Sequence, residues 1–174
     1  MHEHIKFLKD LQDELKTQNN DCQAAPRFWV VGDYKMVACP EGYQDRYDIT
    51  APTRDYYGSL DNLLKNIKDE GFEDYPDYAI DEFDEINCEI SALDWIREYY
   101  DPDAELIPVR EEHFIRENTM FITKDDAKRH IEANHYHYTD KAHTYAMTAW
   151  RSPKVEKLWK VLETFDWDVI ECNK

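Results

Sequence analysis

Imidazoles are the side chains best suited to metal ligation or proton transfer near neutral pH, and four of this chain's seven histidines crowd residues 130–143: His130, His135, His137 and His143. An H-x-H pair on a strand, or His130 with Asn134 one helical turn on, could ligate a metal. Neither arrangement has a carboxylate at zincin spacing, and H-E-x-x-H is absent. The plainer reading has these histidines packing a helix-loop-helix with Tyr136, Tyr138, Tyr145 and Trp150. The four cysteines, Cys22, Cys39, Cys88 and Cys172, show no C-x-x-C spacing and read as free thiols. Only four glycines are present, Gly32, Gly42, Gly58 and Gly71, so there is no P-loop or dinucleotide fingerprint. No motif picks out a Ser or Cys as nucleophile. The expectation is a protein that is not an enzyme and needs no metal or cofactor.

The stronger chemical signal is charge. Fifteen of the 38 acidic residues fall within Asp69–Glu105, which contains one basic side chain, Arg97, and nets −14 against −17 for the whole chain. The anionic character is therefore local. Carboxylates at that density repel one another, so they form either a solvated face or a surface that meets cations. The candidate partner-binding residues are Asp69, Glu70, Glu73, Asp74, Asp77, Asp81, Glu82, Asp84, Glu85, Glu89, Asp94, Glu98, Asp101 and Asp103. A sequence pI near 4.7 argues against direct contact with nucleic acid or an anionic membrane. The expected partner is a basic protein.

The elements that position these groups follow from periodicity and punctuation. At 174 residues and 42% hydrophobic content the chain suits one folded α+β domain. The N-terminus lacks the apolar run of a signal peptide, and nothing approaches the ~18 apolar residues of a membrane span, which predicts a soluble cytoplasmic protein. Ile5, Leu8, Leu11 and Leu15 mark a helix over 3–17. RFWVV and YKMVA flank Gly32-Asp33 and predict a 27–38 hairpin with a type II′ turn. A third strand is expected at 46–50. Ser59 caps a helix carrying Leu60, Leu63, Leu64 and Ile67, which Gly71 closes. Residues 72–85 read as irregular or briefly helical. Ser91-x-x-Asp94 predicts a helix over 92–100, and extended segments follow near 106–110, 113–115 and 119–122. Thr123 opens a helix to about 136, and Ser152-Pro153 opens the last, with Val155, Leu158, Trp159, Leu162 and Phe165 at helical spacing. This makes about five helices and a small, mainly antiparallel sheet, with a His- and aromatic-rich helical part at 118–167.

The segments QAAPRFWVVGDYK (Gln23–Lys35) and NTMFITKDDAKRHIEANHYHY…HTYAMTAWRSPKVEKLWKVLETFDW (Asn118–Trp167) resemble small proteins of phages and integrated mobile elements of gut Firmicutes. The second segment is the more specific, because it joins the histidine-rich loop to the W-R-S-P helix start. The resemblance carries no catalytic residue across. It implies context: such accessory genes often supply counter-defence proteins, anti-CRISPR and anti-restriction inhibitors among them, acting in the bacterial host cell. Three functions stand. One is an inhibitor whose acidic, DNA-mimicking face occupies the nucleic-acid-binding surface of a defence nuclease, a CRISPR effector first. Another is an interaction or adaptor protein working through its aromatic C-terminal third. The third is a metal-dependent hydrolase using the histidine cluster.

Overall fold

A computed structural model describes residues 3–21 and 25–170. Cys22, Cys172 and the start of the Gln23–Lys35 segment lie outside them. The fold is α+β. Among the described residues six α-helices, α1 (Glu3–Thr17), α2 (Leu60–Glu70), α3 (Asp77–Asp84), α4 (Glu89–Tyr99), α5 (Lys124–Ala133) and α6 (Pro153–Thr164), accompany an antiparallel sheet. Its strands are β1 (Arg27–Ala38), β2 (Arg46–Ala51), β3 (Tyr56–Ser59), β4 (Glu105–Ile115) and β5 (His143–Thr148), in the order β3-β2-β4-β1-β5. No helix among the described residues is long and apolar enough to cross a membrane. The chain divides into two compact units, residues 1–34 with 113–174, and residues 35–112.

In the first unit, α1 buries Leu11 and Leu15, and Gln12 donates from Nε2 to the carbonyls of Leu162 (2.9 Å) and Phe165 (3.0 Å), satisfying acceptors at the end of α6. The expected hairpin does not form. Residues 27–38 are one strand whose first half pairs with β5, Arg27 opposite Thr148 through Gly32 opposite His143. Gly32 is mid-strand for a packing reason: a Cβ there would stand 2.6 Å from His113 Nε2 and 3.0 Å from His143 Nε2. Asp33 is buried and ion-paired, which no exposed turn position would require.

The second unit hangs on β2, antiparallel to β3 (Asp48 opposite Ser59) and to β4 (Asp48 opposite Ile107). Its core joins Ile49 to Leu60, Leu63 and Ile67 of α2, Phe83 of α3, and Ala92, Trp95 and Ile96 of α4. Ser59 caps α2 as expected, its hydroxyl accepting from the Asn62 amide at 3.1 Å. The start of α4 differs from expectation. Cys88 is its N-cap and Ser91 sits three residues inside, the two exchanging capping hydrogen bonds, so the helix begins at Glu89 and not at Ala92. A further difference lies at 118–167, which is not wholly helical. The alternating H-T-Y-A-M-T becomes β5, and 119–122 contributes only a bridge from Phe121 to Trp29.

Candidate acidic partner-binding surface

The acidic segment belongs entirely to the second unit. Its rigidity comes from aromatic packing. Phe83 meets Trp95 edge-on (ring centroids 4.9 Å), Phe72 meets Phe83 (5.0 Å), and Trp95 Nε1 donates to the Ala79 carbonyl at 2.8 Å, fastening α4 to α3. Aromatic pairs of this geometry contribute about 0.5–1.5 kcal/mol each beyond area burial. Residues 72–85, expected to be irregular or briefly helical, thus contain the two-turn α3, with Ala79 and Phe83 inward and Asp77, Asp81, Glu82 and Asp84 outward. On α4 the same division puts Trp95 and Ile96 in the core and Glu89, Asp94 and Glu98 in solvent.

Asp69, Glu70, Glu73, Asp74, Glu85 and Asp103 are also exposed. Asp101 is the exception among the fourteen. It is fully buried, and its carboxylate accepts from the Thr53 amide (2.8 Å) and the Asp103 amide (2.9 Å). Burial pushes its pKa up, but those hydrogen bonds prevail and hold it below the usual carboxylate range. Asp101 therefore braces the turn after α4 and offers nothing to a partner.

Seven of the exposed carboxylates converge on two depressions. One, about 460 Å³, is lined by Glu70, Glu73, Asp74 and Glu98 with Tyr75, Tyr99, Tyr100 and Arg54. The other, about 260 Å³, is lined by Glu82, Glu85, Asp94 and Glu98 against Ile86 and Trp95. Glu98 belongs to both, so the two adjoin. The nearby arginines make no ion pair with these carboxylates among the described residues. Arg97 donates to the Ala104 carbonyl at 2.9 Å, and Arg54 lies over the Tyr100 ring at 5.1 Å. Among the described residues no carboxylate of 69–105 takes part in an ion pair. Glu82 accepts from the Tyr99 hydroxyl at 2.8 Å, which pushes that phenol up to about 12 and keeps it a neutral donor.

The histidines do not form one site. His130 Nε2 is 2.7 Å from the Tyr138 hydroxyl and its ring packs on Phe121. His135 and His137 are exposed on a short 3-10 turn, and the His135 Nδ1–H donates to the Glu132 carbonyl. His143 lies on β5 beside His113, ring centroids 5.3 Å apart. Among the described residues no group of three or more His, Cys, Asp or Glu is placed to hold a metal ion. His113 escaped sequence reasoning because it stands thirty residues from His143. The available signal was a glycine interrupting an apolar strand.

The first unit also holds a buried ion pair that sequence reasoning missed. Asp33 Oδ2 accepts from Arg116 Nη2 (2.5 Å) and Nε (2.9 Å) and from the Thr139 amide (3.3 Å). Its Oδ1 accepts from the Tyr34 amide (2.9 Å) and the Thr139 hydroxyl. Burial raises the carboxyl pKa, but the Thr139 and Arg116 hydrogen bonds outweigh it and bring it down to about 2. A saturated, solvent-free carboxylate of this kind organises the fold. It has no lone pair left for chemistry. No protein-family model, curated protein or solved structure matches this chain.

Proposed function

We propose that the chain is a non-enzymatic inhibitor whose acidic face occupies the cationic nucleic-acid channel of a host defence nuclease, a CRISPR effector being the leading target. The observation that carries this reading is the pair of adjoining, acid-lined depressions on α3, α4 and the end of α2, held by an aromatic core, whose carboxylates make no ion pair among the described residues although Arg54 lines one rim. Duplex DNA presents about one negative charge per ~1.7 Å of axis, and a competitor must match that density on a rigid support. Exposed carboxylates seated on two short, packed helices meet both requirements. Such complementarity acts chiefly on association rate and gives steep salt dependence.

Affinity capture from a bacterial lysate tests this, followed by titration of the captured partner at two salt concentrations. The expected result is a basic nucleic-acid-binding protein released by roughly 0.5 M salt, at which the Debye length is well below 10 Å. Changing Asp77, Asp81, Glu82, Asp84 and Glu85 to Asn and Gln should weaken binding by several kcal/mol in sum, at about 1.5 kcal/mol or more per close pair, and should leave the melting temperature unchanged or higher. Unaltered affinity and salt slope sink the proposal. A second reading, an adaptor working through its C-terminal part, draws on the exposed Trp150, Leu158 and Phe165, which are 71%, 53% and 40% accessible. It predicts capture that survives high salt.

A further inference from the structure

A sheet edge leaves a row of backbone donors and acceptors with no strand to pair with, and proteins blunt such rows with charge, proline, bulges or brevity. In the first unit that edge is β5, the last strand in the order β3-β2-β4-β1-β5. Which of its groups face outward follows from β1. Trp29 exchanges both backbone bonds with Phe121 at 2.8 Å, and the Val31 carbonyl accepts from the Arg116 amide at 2.9 Å, so these two residues point away from β5. Phe28, Val30 and Gly32 therefore bond to the residues opposite them on β5, Met147, Tyr145 and His143. The Ala149 amide continues the alternation by donating to the Pro26 carbonyl at 3.1 Å. The N–H and C=O groups of Thr144, Ala146 and Thr148 are left pointing outward. Among the described residues nothing hydrogen-bonds to them, and α5 packs against the strand without bonding to its backbone.

The usual protections are missing from this edge. Residues 142–150, AHTYAMTAW, carry no Asp, Glu, Lys, Arg or Pro, in a chain that is 34% charged. The register with β1 runs without a bulge from His143 to Thr148. Thr144, Ala146 and Thr148 are half-buried and Tyr145 is exposed, whereas Trp29 and Val31, one strand further in, are fully covered. The opposite edge, β3, spans only 4 residues, and brevity is itself a protection.

We propose that β5 is a homodimerisation edge, on which two copies of this chain pair antiparallel about a two-fold axis at Ala146 and continue the sheet from one copy into the other. A second copy is the occupant the strand itself specifies. With the axis at Ala146, that residue stands opposite itself and Thr144 stands opposite Thr148, so every outward donor meets an outward acceptor. Tyr145 then faces the partner's Met147 in the closer, non-hydrogen-bonded position, an aromatic–thioether contact. An uncharged strand offers no complement to a basic or acidic surface, but it lets a like-charged copy approach at this one place. Two chains of net charge −17 repel elsewhere, so added salt favours the contact, whereas it releases a basic partner from the acidic face. The edge is independent of the acidic face and of the inhibitory reading.

The test is sedimentation equilibrium of the full chain over a range of protein concentrations at low and high salt, with Ala146→Pro alongside. The expected result is a monomer–dimer equilibrium that moves toward dimer at the higher salt. Proline at 146 removes an outward N–H and leaves the β1 ladder whole, so it should weaken the dimer about tenfold or more while the far-ultraviolet spectrum stays that of the parent. Because the proline could disturb the strand, hydrogen exchange in the unaltered protein is the second readout. The amides of Thr144, Ala146 and Thr148 should exchange more slowly as protein concentration rises, while those of Tyr145 and Met147, bonded to β1, stay slow throughout. A chain that is monomeric at every concentration overturns the proposal, even if it captures a strand of some other protein. So does a dimer that survives Ala146→Pro, a dimer that dissociates in salt, or exchange of the outward amides that ignores concentration.

Discussion

Replacing Asp33 with Asn tests how the first unit is held together. Asp33 is 0% exposed, and its two oxygens take five hydrogen bonds, two of them from the Arg116 guanidinium. Its carboxyl is brought down from the ordinary aspartate range to about 2. At 1.36 kcal/mol per pH unit this difference contributes about 2 kcal/mol of stability at neutral pH. The sign is that of a depressed acid. The folded state binds the proton less readily than the unfolded chain, so the contribution is complete above about pH 5. It falls to roughly half near pH 3 and is nearly gone at pH 2. Asp33→Asn also leaves Arg116 facing a neutral amide, and breaking a buried pair by removing one partner costs about 3–5 kcal/mol at the upper end. The assay is urea unfolding followed by tryptophan fluorescence, run on the parent, Asp33→Asn and the exposed control Asp140→Asn at pH 7 and pH 3. The variant should be less stable by about 2 kcal/mol or more at pH 7, with the gap narrowing by about 1 kcal/mol at pH 3. Asp140→Asn should track the parent. A gap below about 0.5 kcal/mol at pH 7, or one that does not narrow with acid, would refute the reasoning.

The support of the acidic surface can be tested at Trp95, which is 4% exposed and bonded to the Ala79 carbonyl. Trp95→Ala should cost about 3–5 kcal/mol through the cavity it leaves. Trp95→Phe, which keeps most of the volume but orphans that carbonyl, should cost about 1–3 kcal/mol. A Trp95→Phe cost near zero in urea melts would show that the hydrogen bond is not part of the support. The Cys88 thiol is exposed and held below its usual range by the Ser91 amide and then the Ser91 hydroxyl. Iodoacetamide labelling at pH 7, read by peptide mass mapping, should modify Cys88 before the half-buried Cys39, and Ser91→Ala should slow it. Labelling of both at one rate would count against this.

Local signals fixed much of the chain, because they act over a few residues. The i, i+3, i+4 apolar spacing of Ile5, Leu8, Leu11 and Leu15 is enough to mark α1, Ser59 and Thr123 start their helices through side-chain caps, and Pro153 at the first helical position marks the start of α6, where Ser152 makes no side-chain cap bond. The charge asymmetry of 69–105 was equally visible in the linear order of residues, since it needs no partner. What the tertiary structure decided are features whose cause lies far along the chain. Gly32-Asp33 has the local grammar of a turn. It is held extended because His143 and His113 fill the space a side chain at 32 would need, and because Arg116, 83 residues away, pairs with Asp33 while Thr139, 106 residues away, donates hydrogen bonds to it. The 143–148 segment reads as part of a helical region until β1 offers it an edge to pair with. Asp101 looks in sequence like its exposed neighbours, and only the fold, by bringing the Thr53 amide to it, makes it a buried brace. Pairing across distance is what periodicity cannot encode, and it separates the carboxylates that face a partner from those that hold the chain together.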